Sequence, residues 1–179
     1  MYSVCVFCGS SSGIDARYAD AARVVGQLLA QKGCRLVFGG GNVGLMGVMA
    51  DAALAAGGVV IGVSPRLLLE KEVVHRGLTE LQVVETINER KARMIQLADA
   101  FLALPGGYGT LDELFEALTL RQLKVHDKPC GLLNVGGFFD PLVDYLDRAT
   151  ASGFLRPANR TLLVMDPDPQ ALLARIGVA

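Results

Sequence analysis

The residues best suited to chemistry lie in one ten-residue segment, Leu104 to Glu113, with the sequence LPGGYGTLDE. It follows an apolar stretch that predicts a buried strand, and its three glycines allow the backbone to approach a ligand closely. A hydroxyl residue then precedes an apolar helical run, as at a helix N-terminus, and such an end attracts anions. The segment therefore predicts a catalytic loop that binds phosphate through Gly106, Gly107, Tyr108, Gly109 and Thr110.

A second segment has the same design. The predicted strand Cys34–Phe38 is followed by the sequence GGGNVGLMG, from Gly39 to Gly47, and then by an apolar helical run to Ala56. Two such turns in one small domain indicate one phosphorylated ligand that is held from two sides. The candidate binding residues are Gly40, Gly41, Asn42 and Gly44 here, and Gly9 and Ser10 after the first predicted strand.

The second segment also matches the dinucleotide fingerprint GxGxxG at Gly39, Gly41 and Gly44. That fingerprint requires an acidic residue at the end of the next strand to bind the ribose hydroxyls, whereas the strand Val59–Val63 ends in Ser64-Pro65. NAD is therefore disfavoured. Neither glycine turn is followed by GK[ST], so a Walker-type ATPase is excluded.

Glu113 has two possible roles. Thr110 and Glu113 have the spacing of a capping box, in which the glutamate bonds back to the amide of the N-cap residue. The glycine loop, however, places the same carboxylate about one helical turn from the predicted phosphate site, with Asp112 and Glu116 nearby. This context favours a catalytic carboxylate.

A helix predicted from Asn88 to Ala98 begins with three cationic residues, Arg90, Lys91 and Arg93. Cations are unfavourable at a helix N-terminus, by a few tenths of a kcal/mol each, and a broken local rule often marks a functional site. Arg90 shares a helix face with two apolar residues, so its guanidinium should emerge beside the core at the carboxyl edge of the sheet. Arg90 and Lys91 are therefore candidate site residues, and the alternative is a solvated charge cluster.

The segments that must position these residues alternate between strand-like and helix-like patterns along the chain. The strands are near-continuous runs of valine, leucine, isoleucine and phenylalanine, which indicates burial on both faces. We therefore predict an α/β fold, a Rossmann-like doubly wound, mostly parallel sheet with helices on both faces, in a single nucleotide-binding domain over residues 1–179. Ligands of such sheets bind beyond the carboxyl ends of the strands, where both glycine turns fall. The stretch Arg66–Glu80 is predicted to be less regular than the rest.

Charge and composition exclude several classes of function. The chain has 17 basic and 18 acidic residues, so it offers neither a basic field for nucleic acid nor a polybasic patch for a membrane. Its longest apolar run is too short to span a bilayer, and no signal peptide is recognised. The four cysteines lack the spacing of a zinc site or a disulfide framework, and His75 and His126 are isolated and expected at the surface. We predict a cytoplasmic protein without a metal site.

Four of these motifs together resemble the LONELY GUY family of cytokinin riboside 5'-monophosphate phosphoribohydrolases, whose bacterial members have often been labelled lysine decarboxylases. The match runs almost end to end. The motifs are Cys8-Gly9-Ser10-Ser11, Gly39–Gly47, Glu89-Arg90-Lys91 and Pro105–Glu113. By this resemblance Glu113 and Arg90 are the catalytic pair, and the glycine loops hold the 5'-phosphate. Two departures, Ile87-Asn88 for the usual Met-His and Leu120 for a common tryptophan, bear on base preference and on the wall of the pocket.

The resemblance implies hydrolysis of the N-glycosidic bond of a purine ribonucleoside 5'-monophosphate, AMP or N6-prenylated AMP, to free base and ribose 5-phosphate without a cofactor. A carboxylate beside the anomeric carbon can stabilise the oxocarbenium-like transition state of such a reaction. One alternative is a nucleotide-binding carrier or sensor without turnover, against which Glu113 and Arg90 argue. The other is a decarboxylase, which requires a lysine that carries pyridoxal phosphate, and none of the five lysines has a recognisable cofactor context.

A homodimer is expected as well. The resemblance implies one, and 51% hydrophobic residues is a large apolar content for a chain of 19.0 kDa to bury alone. The helix predicted over Leu111–Leu123 is the expected interface element.

Overall fold

The computed structural model describes residues 1–70 and 73–179 and places seven strands in one sheet. The strands are β1 (Ser3–Phe7), β2 (Arg35–Phe38), β3 (Val59–Pro65), β4 (Glu80–Val84), β5 (Ala100–Ala103), β6 (Cys130–Leu133) and β7 (Leu163–Asp166). Their order is β4-β3-β2-β1-β5-β6-β7, and every neighbouring pair is parallel. The predicted fold class is confirmed.

Helices cover both faces of this sheet, as predicted. The helices are α1 (Ala16–Gln31), α2 (Gly44–Ala55), α3 (Arg66–Glu70), α4 (Ile87–Leu97), α5 (Tyr108–Gln122), α6 (Asp140–Ala151), α7 (Pro157–Arg160) and α8 (Pro169–Arg175). Buried residues of α1, α2 and α8 form the core on one face, and those of α4, α5 and α6 form the core on the other.

The central strand β1 shows why the strands are apolar throughout. Val4 and Val6 point into the core under α1 and α2, whereas Cys5 and Phe7 point into the core under α4 and α5. The Phe7 ring stacks on Phe101 of β5 with the ring centroids 5.8 Å apart. Because both faces are covered, every position of the strand is buried, and an alternation of apolar and polar residues does not arise.

The direction of winding reverses between β1 and β5. The chain moves outward from β1 to β4 on one side and from β5 to β7 on the other, so the helices that follow β1 and β5 cover opposite faces of the sheet. The loops that lead to these helices start side by side at the carboxyl edge. These loops remain paired beyond the strands, since Leu104 N donates to Phe7 O at 2.9 Å and Gly9 N donates to Pro105 O at 3.0 Å. Doubly wound sheets bind their ligands at this reversal.

Two predicted boundaries were wrong. Helix α5 begins at Tyr108 with Gly107 as its N-cap, three residues before the predicted Leu111, so Thr110 is inside the first turn and not the N-cap. Leu111 N donates to Gly107 O at 3.2 Å and closes that turn, so the tertiary fold overrides the low helix propensity of glycine. The stretch Arg66–Glu80, expected to be irregular, begins with the short helix α3.

The four cysteines are buried and free. In residues 1–70 and 73–179, no helix is both long and apolar enough to traverse a lipid bilayer. The same residues contain no group of three or more His, Cys, Asp or Glu side chains arranged to hold a metal ion.

Candidate active site

A cavity of about 500 Å³ lies at the carboxyl edge of the sheet, where the winding reverses. Nine of the fourteen predicted site residues line it: Gly9, Ser10, Gly41, Arg90, Gly107, Tyr108, Gly109, Thr110 and Glu113. The five that lie outside its lining are Gly40, Asn42, Gly44, Lys91 and Gly106.

Glu113 lies in the second turn of α5, with its side chain 10% exposed. Burial raises the pKa of its carboxyl group to about 6, although the nearby Arg90 guanidinium acts in the opposite direction. The carboxylate is therefore desolvated but still predominantly ionised at neutral pH. A buried anion with one cationic partner is suited to stabilising positive charge that develops on a ligand.

Arg90, in the first turn of α4, extends to the carboxyl ends of β2 and β3. Its Nη1 lies 3.4 Å from Glu113 Oε1, its Nε donates to Val63 O at 3.1 Å, and its Nη2 donates to Gly39 O at 3.2 Å. The guanidinium is thus held by the carboxyl ends of β2 and β3. A Cβ atom at Gly39 would lie 1.7 Å from Arg90 Nη2, so this position requires glycine while the arginine is in place.

The capping box proposed for Thr110 and Glu113 was wrong. Glu113 is one turn too far along α5 to reach its N-terminus, because the helix begins at Tyr108. The capping interaction of this region is in α4 instead: Glu89 N donates to the Thr86 hydroxyl at 3.1 Å, and Glu89 Oε2 accepts from Glu85 N at 3.0 Å. The Thr-x-x-Glu spacing of Thr86 and Glu89 is visible in the sequence and could have identified it.

Lys91 points away from the cavity. Its Nζ lies 3.0 Å from Asp112 Oδ2 and 2.7 Å from Glu116 Oε2, and its side chain is 14% exposed. Hydrogen bonds to these two carboxylates raise the pKa of the ammonium group. Lys91 therefore links α4 to α5 beside the Arg90–Glu113 pair, and the prediction that it binds substrate directly is not supported by its position.

Gly44 brings the loop after β1 and the N-terminus of α2 together. Gly44 has a φ of +61°, and a Cβ atom there would lie 2.3 Å from the carbonyl carbon of Ser10. Leu45 N at the start of α2 donates to Gly9 O at 3.1 Å. Gly44 thus allows the loop after β1 to lie against the N-terminus of α2, which explains a glycine requirement at a position outside the cavity lining.

One wall of the cavity is apolar and was not predicted from the sequence. It consists of Val43, Met46, Leu68, Val73 and Val74. These residues come from the glycine loop, α2, α3 and the segment after α3, so no local pattern links them. Only Val43 and Met46 were within a recognised motif. The wall lines the same cavity as Arg90 and Glu113 and can contact a flat or aliphatic group of a ligand.

The histidines were both expected at the surface. For His75 this is wrong: it is 7% exposed, and its Nε2 lies 2.9 Å from Asp51 Oδ1. His126 is half-buried with its ring centroid 5.4 Å from that of Phe101, and burial lowers its pKa.

Neither departure from the family pattern lies on the cavity lining. Ile87 is the first residue of α4 and is 44% exposed. Leu120 belongs to an outer groove along α5 that also contains Tyr108, Leu111 and Phe115. The substitution at Leu120 therefore concerns this outer surface and not the wall of the cavity within one chain.

The fold and the site together define an α/β protein of the Rossmann type with a buried carboxylate–guanidinium pair at its ligand-binding edge. Residues 46–176 match the family described as "Possible lysine decarboxylase". The cytokinin riboside 5'-monophosphate phosphoribohydrolase LOG5 of Arabidopsis thaliana is 46% identical over 173 residues, which are 97% of this chain and 76% of that protein. The probable enzyme LOGL9 of Oryza sativa subsp. japonica is 49% identical over 97% of this chain and 76% of its own length. The chain belongs to the LONELY GUY family.

Solved structures with the same fold are more distant in sequence. The molybdenum cofactor binding protein of Rippkaea orientalis has a TM-score of 0.75 at 24% identity, over 98% of this chain and 94% of that one. The molybdenum cofactor carrier protein of Chlamydomonas reinhardtii has a TM-score of 0.74 at 20% identity, over 98% and 95% of the two chains. At these identities the likeness establishes the fold alone.

Proposed function

We propose that this chain hydrolyses the N-glycosidic bond of purine ribonucleoside 5'-monophosphates, N6-prenylated AMP or AMP, to free base and ribose 5-phosphate, and so activates cytokinins. The activity named for its relatives supports this proposal. The observation that carries it is the buried Arg90–Glu113 pair, with its 3.4 Å contact, in the cavity at the reversal of winding.

The two sides of the cavity suggest how the nucleotide is oriented. The first turn of α5, from Tyr108 to Thr110, presents backbone N–H groups and a positive helix end to the 5'-phosphate. Glu113, one turn further along the same helix, then faces the ribose. The leaving base is directed towards the apolar wall around Val73 and Val74.

In this orientation Glu113 faces the anomeric carbon. As the bond between C1' and the base nitrogen breaks, its electron pair leaves with the base and positive charge develops on the sugar. The Glu113 carboxylate stabilises that charge and orients the water whose oxygen bonds to C1'. This water loses one proton to solvent as the C–O bond forms, and the departing base takes up one proton from solvent. Arg90 holds the carboxylate in place and stabilises negative charge on the departing base.

A protein that only carries or senses nucleotides is the alternative. Ligand binding alone gives no reason to bury a carboxylate, since burying a charged group lowers stability. The pKa of about 6 at Glu113 records that cost, and perturbed groups of this kind concentrate at catalytic sites. The Arg90–Glu113 pair therefore favours turnover.

The decarboxylase description lacks a suitable lysine among the described residues. Lys91 is held by two carboxylates, and Lys128 Nζ donates to Ile95 O at 2.7 Å. None of the four described lysines lines the cavity. Lys71 lies outside the described residues, in a sequence without a recognisable cofactor motif.

Release of adenine from AMP, compared with adenosine, tests the proposal. We expect AMP to be cleaved and adenosine to be a poor substrate, because the helix N-terminus offers its main attraction to the phosphate. Gly107→Asp should raise KM by about 10-fold or more through charge repulsion, and the near-isosteric Gly107→Asn should raise it much less. A Cβ at Gly107 meets no atom within 4 Å, so both variants should fold. Equal cleavage of AMP and adenosine would contradict the phosphate site.

We also propose a homodimer formed through the outer groove of α5. Tyr108 is 95% exposed there, and Leu111, Phe115 and Leu120 line the same groove. Light scattering at micromolar concentration should give twice the chain mass. Leu120→Asp should give monomers, whereas Ile14→Asp, at a fully exposed apolar residue after β1, should remain dimeric. A monomeric wild-type protein would contradict this proposal.

The cytoplasm is the location that we propose. Four buried, free thiols fit a reducing compartment, and a nucleoside monophosphate substrate is available there.

A further inference from the structure

The apolar wall of the cavity ends in Val73 and Val74, which begin the segment of residues 73–78. Val74 lines the active-site cavity. It also lines a second cavity of about 320 Å³, together with Leu69, His75 and Leu78. Because Val74 borders two cavities, hydrogen bonds to neighbouring segments contribute to its position beside its packing in the core.

Backbone hydrogen bonds attach one edge of this segment to the glycine loop. Asn42 N donates to Val73 O at 2.7 Å, and His75 N donates to Gly40 O at 2.9 Å. Gly41 and Val74 thereby form an isolated antiparallel bridge. Asn42 and Gly40, which sequence analysis assigned to substrate binding, act here as partners of the wall.

The His75 side chain supplies the second attachment. Its Nδ1 accepts a hydrogen bond from Gly77 N at 3.0 Å, which leaves Nε2 as the nitrogen that donates to Asp51 Oδ1 at 2.9 Å. Asp51 is on α2, the helix that follows the glycine loop. The imidazole therefore links residues 73–78 to α2, the helix that also carries Met46 of the cavity lining, with both ring nitrogens bonded.

We propose that His75, acting through Asp51, positions the Val73–Val74 wall and thereby sets the affinity of the site for the base of its substrate. This inference rests on the proposed function, because it assigns that wall to the base. His75 does not line the active-site cavity, so it is a positioning residue. Its loss should weaken binding of the base without affecting the Arg90–Glu113 pair.

Two variants of His75 separate its two hydrogen bonds. His75→Asn keeps an acceptor for Gly77 N but is too short to reach Asp51, whereas His75→Gln places a donor near the position of Nε2. We expect His75→Asn to raise KM for AMP by about 10-fold with kcat within about 2-fold of wild type, as for a lost hydrogen bond to a charged group. His75→Gln should restore most of the affinity. The Ki of ribose 5-phosphate, which lacks the base, should be unchanged in both variants.

Asp51 provides a matched pair that does not alter the buried ring. Its side chain is 71% exposed, so replacement should not prevent folding. Asp51→Asn keeps an acceptor for the imidazole and should behave like wild type, while Asp51→Ala should reproduce the KM of His75→Asn. The double variant His75→Asn/Asp51→Ala should be no worse than either single variant.

Several results would overturn the inference. One is a wild-type KM for AMP in both His75→Asn and Asp51→Ala. The others are a rise in the ribose 5-phosphate Ki of these variants that parallels their KM for AMP, and a fall in their kcat with KM unchanged. If the wild-type chain hydrolyses AMP and these variants match it, only the positioning role fails. If the wild-type chain releases no base from any nucleoside monophosphate, the proposed function fails and this inference fails with it.

Discussion

Glu113→Gln is expected to lower kcat for base release by roughly 10²- to 10⁴-fold while nucleotide affinity stays nearly unchanged. The swap keeps the size of the side chain but removes the negative charge that, in the proposed mechanism, faces the developing oxocarbenium ion. Adenine release and the Kd of AMP should be measured on the same preparations. Asp112→Asn is the matched control, because Asp112 is the adjacent carboxylate but has a side chain 56% exposed and paired with Lys91. It should retain turnover near that of wild type.

Glu113→Gln should also stabilise the folded protein. The Glu113 pKa of about 6 in the folded state, against an ordinary value of 4.5, means that the folded chain binds this proton more tightly than the unfolded chain does. The contribution of Glu113 to stability is therefore greatest below pH 4.5 and is lost as the pH rises through about 6. At pH 8 the charged carboxylate lowers the free energy of unfolding by about 2 kcal/mol.

Urea unfolding of the wild type and of Glu113→Gln at pH 8 and at pH 4.5 tests the expected stabilisation. Glu113→Gln should raise the free energy of unfolding by up to about 2 kcal/mol at pH 8 and by much less at pH 4.5. Such a gain in stability with a loss of activity is typical of a catalytic carboxylate. A fully active Glu113→Gln protein would leave Glu113 with a structural role and direct the search for the catalytic carboxylate to Asp112 or Glu116.

Gly39→Ala is expected to lower kcat/KM by roughly 10²-fold, although Gly39 itself does no chemistry. The added methyl group would lie 1.7 Å from Arg90 Nη2, so the guanidinium must leave its site between Gly39 O and Val63 O. Glu113 then loses the cation that lowers its pKa, and the acidic limb of the pH–rate profile should move to higher pH. Overpacking of this kind should also destabilise the fold by about 1 to 3 kcal/mol.

The Arg90→Ala background supplies the internal control for Gly39→Ala. With the guanidinium absent, the methyl group meets no obstruction from it, so the double variant should match Arg90→Ala in both stability and activity. Arg90→Ala combined with Glu113→Gln should likewise be non-additive if both residues act in one transition state. Additive losses from Gly39→Ala and Arg90→Ala would show that Gly39 acts by another route.

The sequence predicts the fold because the relevant signals are strong and local. Unbroken apolar strands such as β1 require cover on both faces, and a parallel sheet places the loops after β1, β2 and β5 at one edge. That reasoning places Glu113 and Arg90 at the same carboxyl edge of the sheet, and the family resemblance identifies them as a pair. Placing both residues at this edge needs only the order of the elements and the position of each residue within the first two turns of its helix.

The remaining features depend on tertiary contacts that the sequence does not encode locally. Helix α5 begins at Tyr108 despite the low helix propensity of its glycines. Glu113 therefore lies too far along the helix to cap its N-terminus. Arg90 and Lys91 are adjacent in α4, but their side chains point in different directions. Lys91 pairs with Glu116, whereas Arg90 pairs with Glu113 in the cavity. The wall residues Val73 and Val74 lie in a stretch without periodicity, and the buried His75 pairs with Asp51, which is 24 residues away in the sequence.

The pairing of β1 with β5 has a consequence for assembly. Ser3 N donates to Asp99 Oδ2 across a sequence separation of 96 residues at the amino ends of β1 and β5, and the cavity lies beyond the carboxyl ends of the same two strands. Contacts of such long range are costly in loop-closure entropy and form slowly. A nascent chain that has completed β1 to β4 therefore contains the whole glycine loop and the sheet edge that accepts Arg90, but no active centre. The candidate active site is complete only when the second half of the chain docks against the first strand.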